Sequence, residues 1–193
     1  MWDSHPLRVA AGLTSVVSVT IACQNDRMSK RSTVTARAEP VSALTSVTGP
    51  LVVRGETLTV ETTQRTEVFD LTDRVMTMVR RLHVKEGTVS LFSLHTTCTL
   101  FINEHQRALI ADIQKFLDVV VERNAEWMHN DPEHSDCDRM NADSHLRALL
   151  LGHSVTLQVS GGEVVLGQWQ RILMAELDGP RQRTLRLQVM GVA

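Results

Sequence analysis

The sequence of 193 residues contains no tyrosine, and only 4% of its residues are aromatic, so its core must be built from Leu, Val, Ile and Met. Its three cysteines, Cys23, Cys98 and Cys137, are odd in number and far apart. A disulfide framework is therefore not expected, and a reducing cytoplasm fits the chain. The sequence also has no CxxC pair, no HExxH motif and no Gly-rich phosphate loop. The usual sequence patterns for a structural zinc site, a zinc peptidase and a dedicated nucleotide site are thus absent.

Charge and hydropathy bear on the class of partner. The formal net charge is −2 and the two signs are interspersed, which gives no argument for a nucleic-acid or membrane-surface partner. No apolar run reaches the roughly 18 to 20 residues that a helix needs to span a bilayer. We therefore expect a protein that binds neither nucleic acid nor membrane.

Residues 1–50 differ from the remainder of the chain, because they are rich in Ser, Thr, Ala and Val and show little sustained periodicity. The stretch 9–23 has some features of a signal-peptide apolar region, but hydroxyl side chains dilute it and Asp3 precedes it. We expect a disordered tail, or upstream sequence translated before a start at Met28. The folded domain is expected over 51–193.

Short apolar segments with alternating or helical spacing follow from residue 51 onward, and most of them are separated by turn residues. The strand at 89–94 is apolar enough to predict burial on both faces. The predominance of strands and the single helices predict an α+β fold around an antiparallel or mixed sheet. The predicted strands cover 51–61, 67–71, 89–94, 99–102, 155–159, 163–166, 171–177 and 183–189, and the predicted helices cover 72–83, 109–121 and 145–151.

The segment 129–145, HNDPEHSDCDRMNADSH, has the highest density of groups that can carry chemistry. Its seventeen residues include three His, five acidic side chains, one Cys and two Asn. Like-charge repulsion makes such a cluster unfavourable unless a cation, a bound ligand or exposure to water offsets it. The segment is therefore a candidate functional site.

Three further polar patches lie where predicted elements end: His95-Thr96-Thr97, Asn103-Glu104-His105 and 167–170, which contains Trp169. Each patch also has a structural explanation: a hydrogen-bonded His, a helix N-terminus or a core Trp. Together, however, a strand-end His, a helix-start Glu and a loop of His and acids could converge at one rim of a sheet. Imidazole and carboxylate suit either a divalent metal or acid–base chemistry near neutral pH.

Four segments stand out by their order and spacing: HTTCTLFINE from residue 95, His129-Asn130, NADSHLRALLLGHSVTLQV from residue 141, and GGEVVLGQWQRILMAELDGPRQR from residue 161. In this order and at this spacing they resemble the motifs of the YjbQ-like family, which is associated with a secondary thiamine-phosphate synthase activity. The resemblance covers 51–192 and none of the first fifty residues. It implies an α+β domain with a β-sandwich-like sheet, assembled as a homotrimer.

The resemblance transfers to individual residues, from which we expect a catalytic set, a substrate-binding set and a metal set. A metal, zinc or magnesium, would be held by the imidazoles. The middle of the 129–145 segment is expected to be an exposed connector, and His105, His134 and His153 to be surface residues. The expected catalytic residues are His95, Glu104, His129 and His145, the metal ligands are His95, His129 and His145, and the substrate-binding residues are Thr96, Asn103, Asn130, Asn141, Trp169, Gln170 and Arg171.

The implied reaction joins a hydroxymethylpyrimidine diphosphate to a thiazole phosphate and releases pyrophosphate. Stabilising that leaving group needs positive charge or backbone donors. Arg171 could supply the charge, whereas Arg181 and Arg183 are expected on a solvated strand face. Two alternatives remain open: a non-catalytic trimer that binds a small phosphorylated metabolite or a metal, and a metal-dependent hydrolase.

Overall fold

From residue 46 onward, the chain forms two antiparallel sheets and three α-helices in a computed structural model. The structure describes residues 46–193 and, as backbone, 17–21 and 32–36. The latter two segments are strands β1 (Val17–Ile21) and β2 (Ser32–Ala36), which pair with each other. Most of the predicted N-terminal extension lies outside the described residues, so its disorder stays a prediction.

The remaining elements follow in chain order, and their bounds are close to those predicted from periodicity. No helix among the described residues is long and apolar enough to cross a membrane. The elements are β3 (Leu51–Glu61), β4 (Glu67–Asp70), α1 (Thr72–Arg81), β5 (Glu86–Ser93), β6 (Cys98–Asn103), α2 (Arg107–Val120), a one-turn 3-10 helix (Met128–Asn130), α3 (Ala142–Leu151), β7 (Ser154–Ser160), β8 (Glu163–Val164), β9 (Arg171–Glu176) and β10 (Gln182–Val192).

The larger sheet has the strand order β3-β10-β5-β7-β8, and the smaller has the order β4-β9-β6. Every described pair is antiparallel. The predicted α+β class is confirmed, and within it the antiparallel alternative is the one observed. Strand β10 lies between β3 and β5 and turns Leu185, Leu187 and Val189 into the core. This alternation is the period-2 pattern of a half-buried strand.

Strand β9 is buried on both faces, and this burial positions the candidate site. Ile172 and Met174 belong to the main core, which also contains apolar residues of α1 and of the larger sheet. Ala175 packs instead with Leu117 of α2 and Ala148 of α3. The smaller sheet therefore lies between the main core and a layer of two helices, and both of its ends can carry polar side chains.

Two structural expectations were wrong. The strand at 89–94 was predicted to be buried on both faces, but β5 buries only one, and Phe92 is 48% exposed. Its other face belongs to the outer surface of the larger sheet. Thr72 or Asp73, at the start of the helix predicted over 72–83, was expected to cap α1, but the N-cap is Leu71 and makes no side-chain capping bond. The carboxylate of Asp70 instead accepts the Thr72 N–H at 2.9 Å.

Helix α3 begins at Ala142, three residues before the predicted start, so Asn141 occupies its N-cap position. The helix ends at Gly152, as predicted, where a positive φ of 87° suits glycine. Helix α2 is capped by Gln106, whose side chain accepts the Leu109 N–H at 2.8 Å, and not by Asn103. Asn141 and His145, four residues apart, therefore lie together at the start of α3.

Candidate functional site

Four of the predicted site residues line one cleft of about 250 Å³. His95 and Thr96 come from the turn between β5 and β6, whereas Asn141 and His145 come from the start of α3. The adjacent strands supply the remaining polar walls of the cleft, because β9 ends and β10 begins at this end of the smaller sheet. These further lining residues are Leu94, Thr97, Asp178, Arg181 and Arg183.

Arg183 and Glu176 form a fully buried ion pair behind the cleft. The guanidinium donates to both carboxylate oxygens at 2.5 Å, and it also donates to Thr97 Oγ1 at 3.0 Å. The expectation that Arg183 lies on a solvated strand face was wrong, since its side chain is only 3% exposed. A charge can be buried here because a bidentate partner compensates the loss of hydration.

Asp178 is a second buried carboxylate, and it pairs with side chains from three other segments of the chain. Its Oδ2 accepts from Arg139 Nε and from Asn141 Nδ2, both at 2.8 Å, and from Arg181 Nη2 at 3.2 Å. Arg65 Nη1 lies 3.3 Å from Oδ1. Burial raises the pKa of Asp178, but hydrogen bonds from Arg139 and Asn141 and the charges of two arginines outweigh burial and hold that pKa below its usual value.

The cleft carries a surplus of positive charge, which favours an anionic ligand. The ion-pair network around it joins the guanidinium groups of residues 65, 139, 147, 181 and 183 to the carboxylates of residues 118, 143, 176 and 178. Five cations against four anions leave one positive charge in this network. Arg181 is the cation best placed to meet a ligand, because its side chain is 37% exposed and it lines the cleft.

His95 is held as a neutral imidazole. Its Nε2 accepts the Thr184 N–H at 2.8 Å, which places the ring proton on Nδ1. Burial first, and then the charge of Arg183, lowers the pKa of His95, while Glu176 opposes that shift. A neutral His95 presents an N–H donor, which suits contact with an anionic oxygen.

His145 connects the polar cleft to a second, apolar cleft of about 330 Å³. The apolar cleft is lined by Trp127, Met128, His129 and by Ala142, His145 and Leu146 of α3. The rings of His129 and His145 meet edge to face, with centroids 5.1 Å apart and planes at 85°. Burial, and then the nearby His129, lowers the pKa of His145.

The predicted metal set does not fit within one chain. The described residues contain no group of three or more His, Cys, Asp or Glu side chains that could hold a metal ion. His95 also uses Nε2 for the Thr184 N–H, so only its other nitrogen could bind a metal. His95 and His145 line the polar cleft, but His129 lies in the apolar one. Zinc or magnesium binding therefore stays a prediction from the sequence.

Five other predicted residues lie at or next to the opposite end of the smaller sheet: Asn103, Glu104, Trp169, Gln170 and Arg171. Cys98 pairs with Glu176 at one end of β6, and Asn103 pairs with Arg171 at the other. Five residue steps of about 3.3 Å each separate the two ends by roughly 17 Å. One chain therefore does not bring Glu104, which follows Asn103, to His95.

At this far end, the described contacts of Asn103 and Gln170 are with near neighbours in the chain, whereas Arg171 contacts a distant residue. Asn103 Oδ1 accepts the Glu104 N–H at 2.8 Å, and Gln170 accepts the Gly167 N–H at 2.8 Å. Arg171 is buried and donates to Asp70 at 2.7 Å. Burial raises the pKa of Asp70, but hydrogen bonds from Thr72 and Arg171 outweigh it and lower that pKa. Trp169 is 42% exposed and therefore is not a core residue.

A sequence profile described as "UPF0047 protein YjbQ-like" matches residues 56–192. The chain belongs to this family. A UPF0047 protein of Methanothermobacter thermautotrophicus is 41% identical over 134 residues, which cover 69% of this chain and 90% of that protein. The UPF0047 protein YugU of Bacillus subtilis is 30% identical over 136 residues, covering 70% of this chain and 98% of that protein.

Solved structures of YjbQ-like proteins agree with the fold. A YbjQ-like protein of unknown function from Sulfolobus solfataricus superimposes with a TM-score of 0.69 at 33% identity, covering 74% of this chain and 99% of that one. A hypothetical protein from Aeropyrum pernix gives a TM-score of 0.65 at 33% identity, covering 72% and 98%. The YjbQ-like assignment made from the sequence motifs is thus confirmed.

Sequence reasoning missed Glu176, Asp178 and Arg139 of this YjbQ-like chain. Glu176 and Asp178 bracket Leu177 at the end of an otherwise apolar strand, and a charge in such a strand is a signal for a buried ion pair. Arg139 lies in the segment expected to be a free connector, yet it donates to the side chain and backbone of Asp178 at 2.8 and 3.0 Å. Its local sequence shows nothing that predicts this contact.

A larger cleft, of about 710 Å³, opens on the other side of Trp127 and Met128. Asn130 is the only predicted site residue that lines it, and its Oδ1 accepts the Ala142 N–H at 3.0 Å. Asn130 therefore ties the 3-10 turn to the start of α3. In this YjbQ-like chain the smaller polar cleft is the better candidate site, because it gathers the imidazoles and the excess positive charge.

Proposed function

We propose that this YjbQ-like protein binds a small phosphorylated metabolite in the polar cleft and catalyses a transfer of the thiamine-phosphate synthase type. The observation that carries the proposal is the excess positive charge at the cleft, where Arg181 and Arg183 adjoin the neutral His95. An anionic phosphate group is the ligand that such a site favours. The reducing cytoplasm predicted from the cysteines is the compartment in which the reaction would run.

In the proposed reaction, the bond between the pyrimidine methylene carbon and its diphosphate oxygen breaks, and the electron pair leaves with pyrophosphate. The thiazole nitrogen supplies its lone pair and forms the new carbon–nitrogen bond. Negative charge grows on the leaving oxygen, and preorganised donors around that oxygen lower the barrier. Arg181 and the Nδ1–H of His95 are the donors we assign to this role.

The network behind the cleft supports the proposal by holding these donors in place before a ligand arrives. Glu176 orients Arg183, and Asp178 orients Arg181 and Asn141. Because the carboxylates are buried, the arginines do not reorganise from a fully hydrated state when an anion enters. Such preorganisation is a main source of electrostatic catalysis.

The direct test supplies purified protein with hydroxymethylpyrimidine diphosphate and thiazole phosphate, and follows thiamine phosphate and pyrophosphate together. We expect the two products in equal amounts, and a loss of at least about tenfold in rate for Arg181→Gln, since one donor to a developing charge contributes about 2 kcal/mol or more. Arg186→Gln is the control, because Arg186 lies five residues further along the chain, on β10, with an exposed side chain outside the cleft. Equal rates for both variants would refute the assigned role of the cleft.

The predicted role of Glu104 leads to a separate proposal about assembly. Glu104 lies too far from His95 for both to act in one cleft of one chain, so a joint role requires a neighbouring subunit. This requirement supports the homotrimer implied by the family resemblance, since cyclic assemblies can bring opposite ends of two copies together. Mixing inactive Glu104→Gln and His145→Gln variants tests it: restored activity indicates a shared site, and no restoration confines each site to one chain.

The same purified protein can be used to test the predicted metal and the alternative of a non-catalytic binding protein. Metal analysis of the purified protein, followed by chelation, tests the predicted zinc or magnesium and the hydrolase alternative that depends on it. Phosphate-ester binding without any product would favour the alternative of a non-catalytic metabolite-binding protein. The polar cleft supports either function, because binding of the anion precedes both.

A further inference from the structure

The apolar cleft beside His145 has no role in the function proposed above. Ala142, His145 and Leu146 are spaced i, i+3 and i+4 on α3, so they share one face of the helix. Opposite them, the 3-10 turn presents Met128 and His129. Ala142, which is 4% exposed, lines the cleft with only a methyl group, so a longer side chain at this position would extend into the gap between helix and turn.

The lining of this cleft suits a flat apolar group. The indole N–H of Trp127 donates to the Glu122 carbonyl at 2.8 Å, so it needs no partner inside the cleft. Met128 is 67% exposed, and its flexible thioether can adapt to a ring. The edge-to-face pair of His129 and His145 adds two more ring surfaces, and aromatic rings favour such contacts over purely aliphatic ones.

The apolar cleft is large enough for a substituted ring, and it adjoins the polar cleft at His145. A cavity of about 150 Å³ is enough to hold benzene, so a cleft of about 330 Å³ admits a substituted ring. The two clefts share His145 and none of their other lining residues. A ligand with an anionic group on one side of His145 and a ring on the other would fill both.

We infer that the apolar cleft is a ring-binding subsite, and that the ligand is a phosphate ester whose aromatic ring packs against His129 and His145 while its phosphate lies beside Arg181. This inference rests on the anion site of the proposed function, but it adds a recognition element that the transfer reaction does not require at this place. His145, neutral and half-buried, forms the boundary between the ring and the anion.

The test compares benzyl phosphate with methyl phosphate by calorimetry on the full chain, since the two esters share the anion and differ in the ring. Burying one face of a ring at about 25 cal/mol per Å² leads us to expect roughly tenfold tighter binding of benzyl phosphate. Ala142→Leu fills the cleft and should reduce that ratio to about one without weakening methyl phosphate. His129→Ala should reduce the ratio by about threefold, and His134→Ala, on the same segment but outside the cleft, should leave it unchanged.

Equal binding of the two esters by the unchanged protein would overturn the ring subsite and leave the anion site intact. A ring preference that survives in Ala142→Leu would overturn its location. A change in sedimentation of Ala142→Leu with no change in the ratio would identify the cleft as a contact between copies, which also overturns the inference. A ring preference in a protein that forms no thiamine phosphate would refute the proposed reaction alone, so the two failures are distinguishable.

Discussion

Arg183 of β10 and Glu176 of β9 are joined by two hydrogen bonds of 2.5 Å, although both side chains are almost completely buried. The pair lies where the smaller sheet meets the strands of the larger one, directly behind the candidate anion site. Thr97 and Thr62 complete the contacts of its remaining polar atoms. The positive charge at the cleft thus depends on a carboxylate that no solvent reaches.

Replacing Arg183 by Met should destabilise the protein by about 3 to 5 kcal/mol, because Glu176 would remain buried without a partner charge. The double variant Arg183→Met/Glu176→Met should be more stable than the single one, since it leaves no unpaired charge. Urea unfolding measures both free energies. Arg186→Met, on the exposed face of the same strand, serves as control and should change the free energy by less than about 0.5 kcal/mol. A single variant as stable as this control would contradict the buried pair.

Acidification should destabilise the protein through His95. Its pKa in the folded state lies below the ordinary value of about 6.5, because burial and Arg183 disfavour the charged ring. The unfolded chain therefore binds more protons between these two pKa values, and the free energy of unfolding falls as the pH drops through about 6.5. Protonation would also remove the acceptor for the Thr184 N–H.

Unfolding measurements at pH 7.5 and 5.5 check this dependence. His95→Gln should show a smaller fall than the unchanged protein, because an amide oxygen can accept a hydrogen bond but does not titrate in this range. His134→Gln, at an exposed position, should show the full fall. If the free energy of unfolding fell more steeply in His95→Gln than in the unchanged protein, this would contradict a lowered pKa of His95 in the folded state.

Cys98 should resist thiol reagents in the folded protein. Burial raises its pKa to about 11, so almost no thiolate forms near pH 8, and the side chain is fully buried. Cys137 is only partly buried and should react before Cys98. Labelling at pH 8, followed by mass mapping of the peptides that contain Cys98 and Cys137, distinguishes these two of the three thiols, and adding urea should expose Cys98. Rapid labelling of Cys98 without denaturant would contradict its placement in the core.

Gly87 of β5 and Gly191 of β10 lie directly opposite each other in the larger sheet. A methyl group at Gly87 would lie 2.2 Å from the Met190 carbonyl oxygen, and one at Gly191 would lie 2.1 Å from that of Glu86. Either Ala substitution should therefore cost about 2 kcal/mol or more, because backbone would have to move. Thr88→Ala, at the neighbouring exposed position, should cost less than about 1 kcal/mol, as measured by thermal and urea unfolding.

The sequence predicted local structure well, because period and capping residues act over a few neighbours. The strand Leu51–Glu61 has the bounds expected from its alternation, and Gly152 ends α3 as expected. The motifs around His95 and His145 also led to the right family and to residues that share a cleft. Two predictions that depended on residues distant in the chain were wrong: the burial of β5 on both faces, and the solvated strand face expected for Arg183.

Composition and periodicity determined the α+β class and the strands and helices, because these follow from interactions between residues close in sequence, whereas the resemblance of the motifs identified the family. Only the tertiary structure decided that His95 shares a cleft with Asn141 and His145, and that His129 meets His145 edge to face. Strand register and helix packing set those distances, and both result from the burial of apolar surface far along the chain. The pairing of Glu176 with Arg183 has the same origin, since two charges seven residues apart become partners only when β9 and β10 fold together.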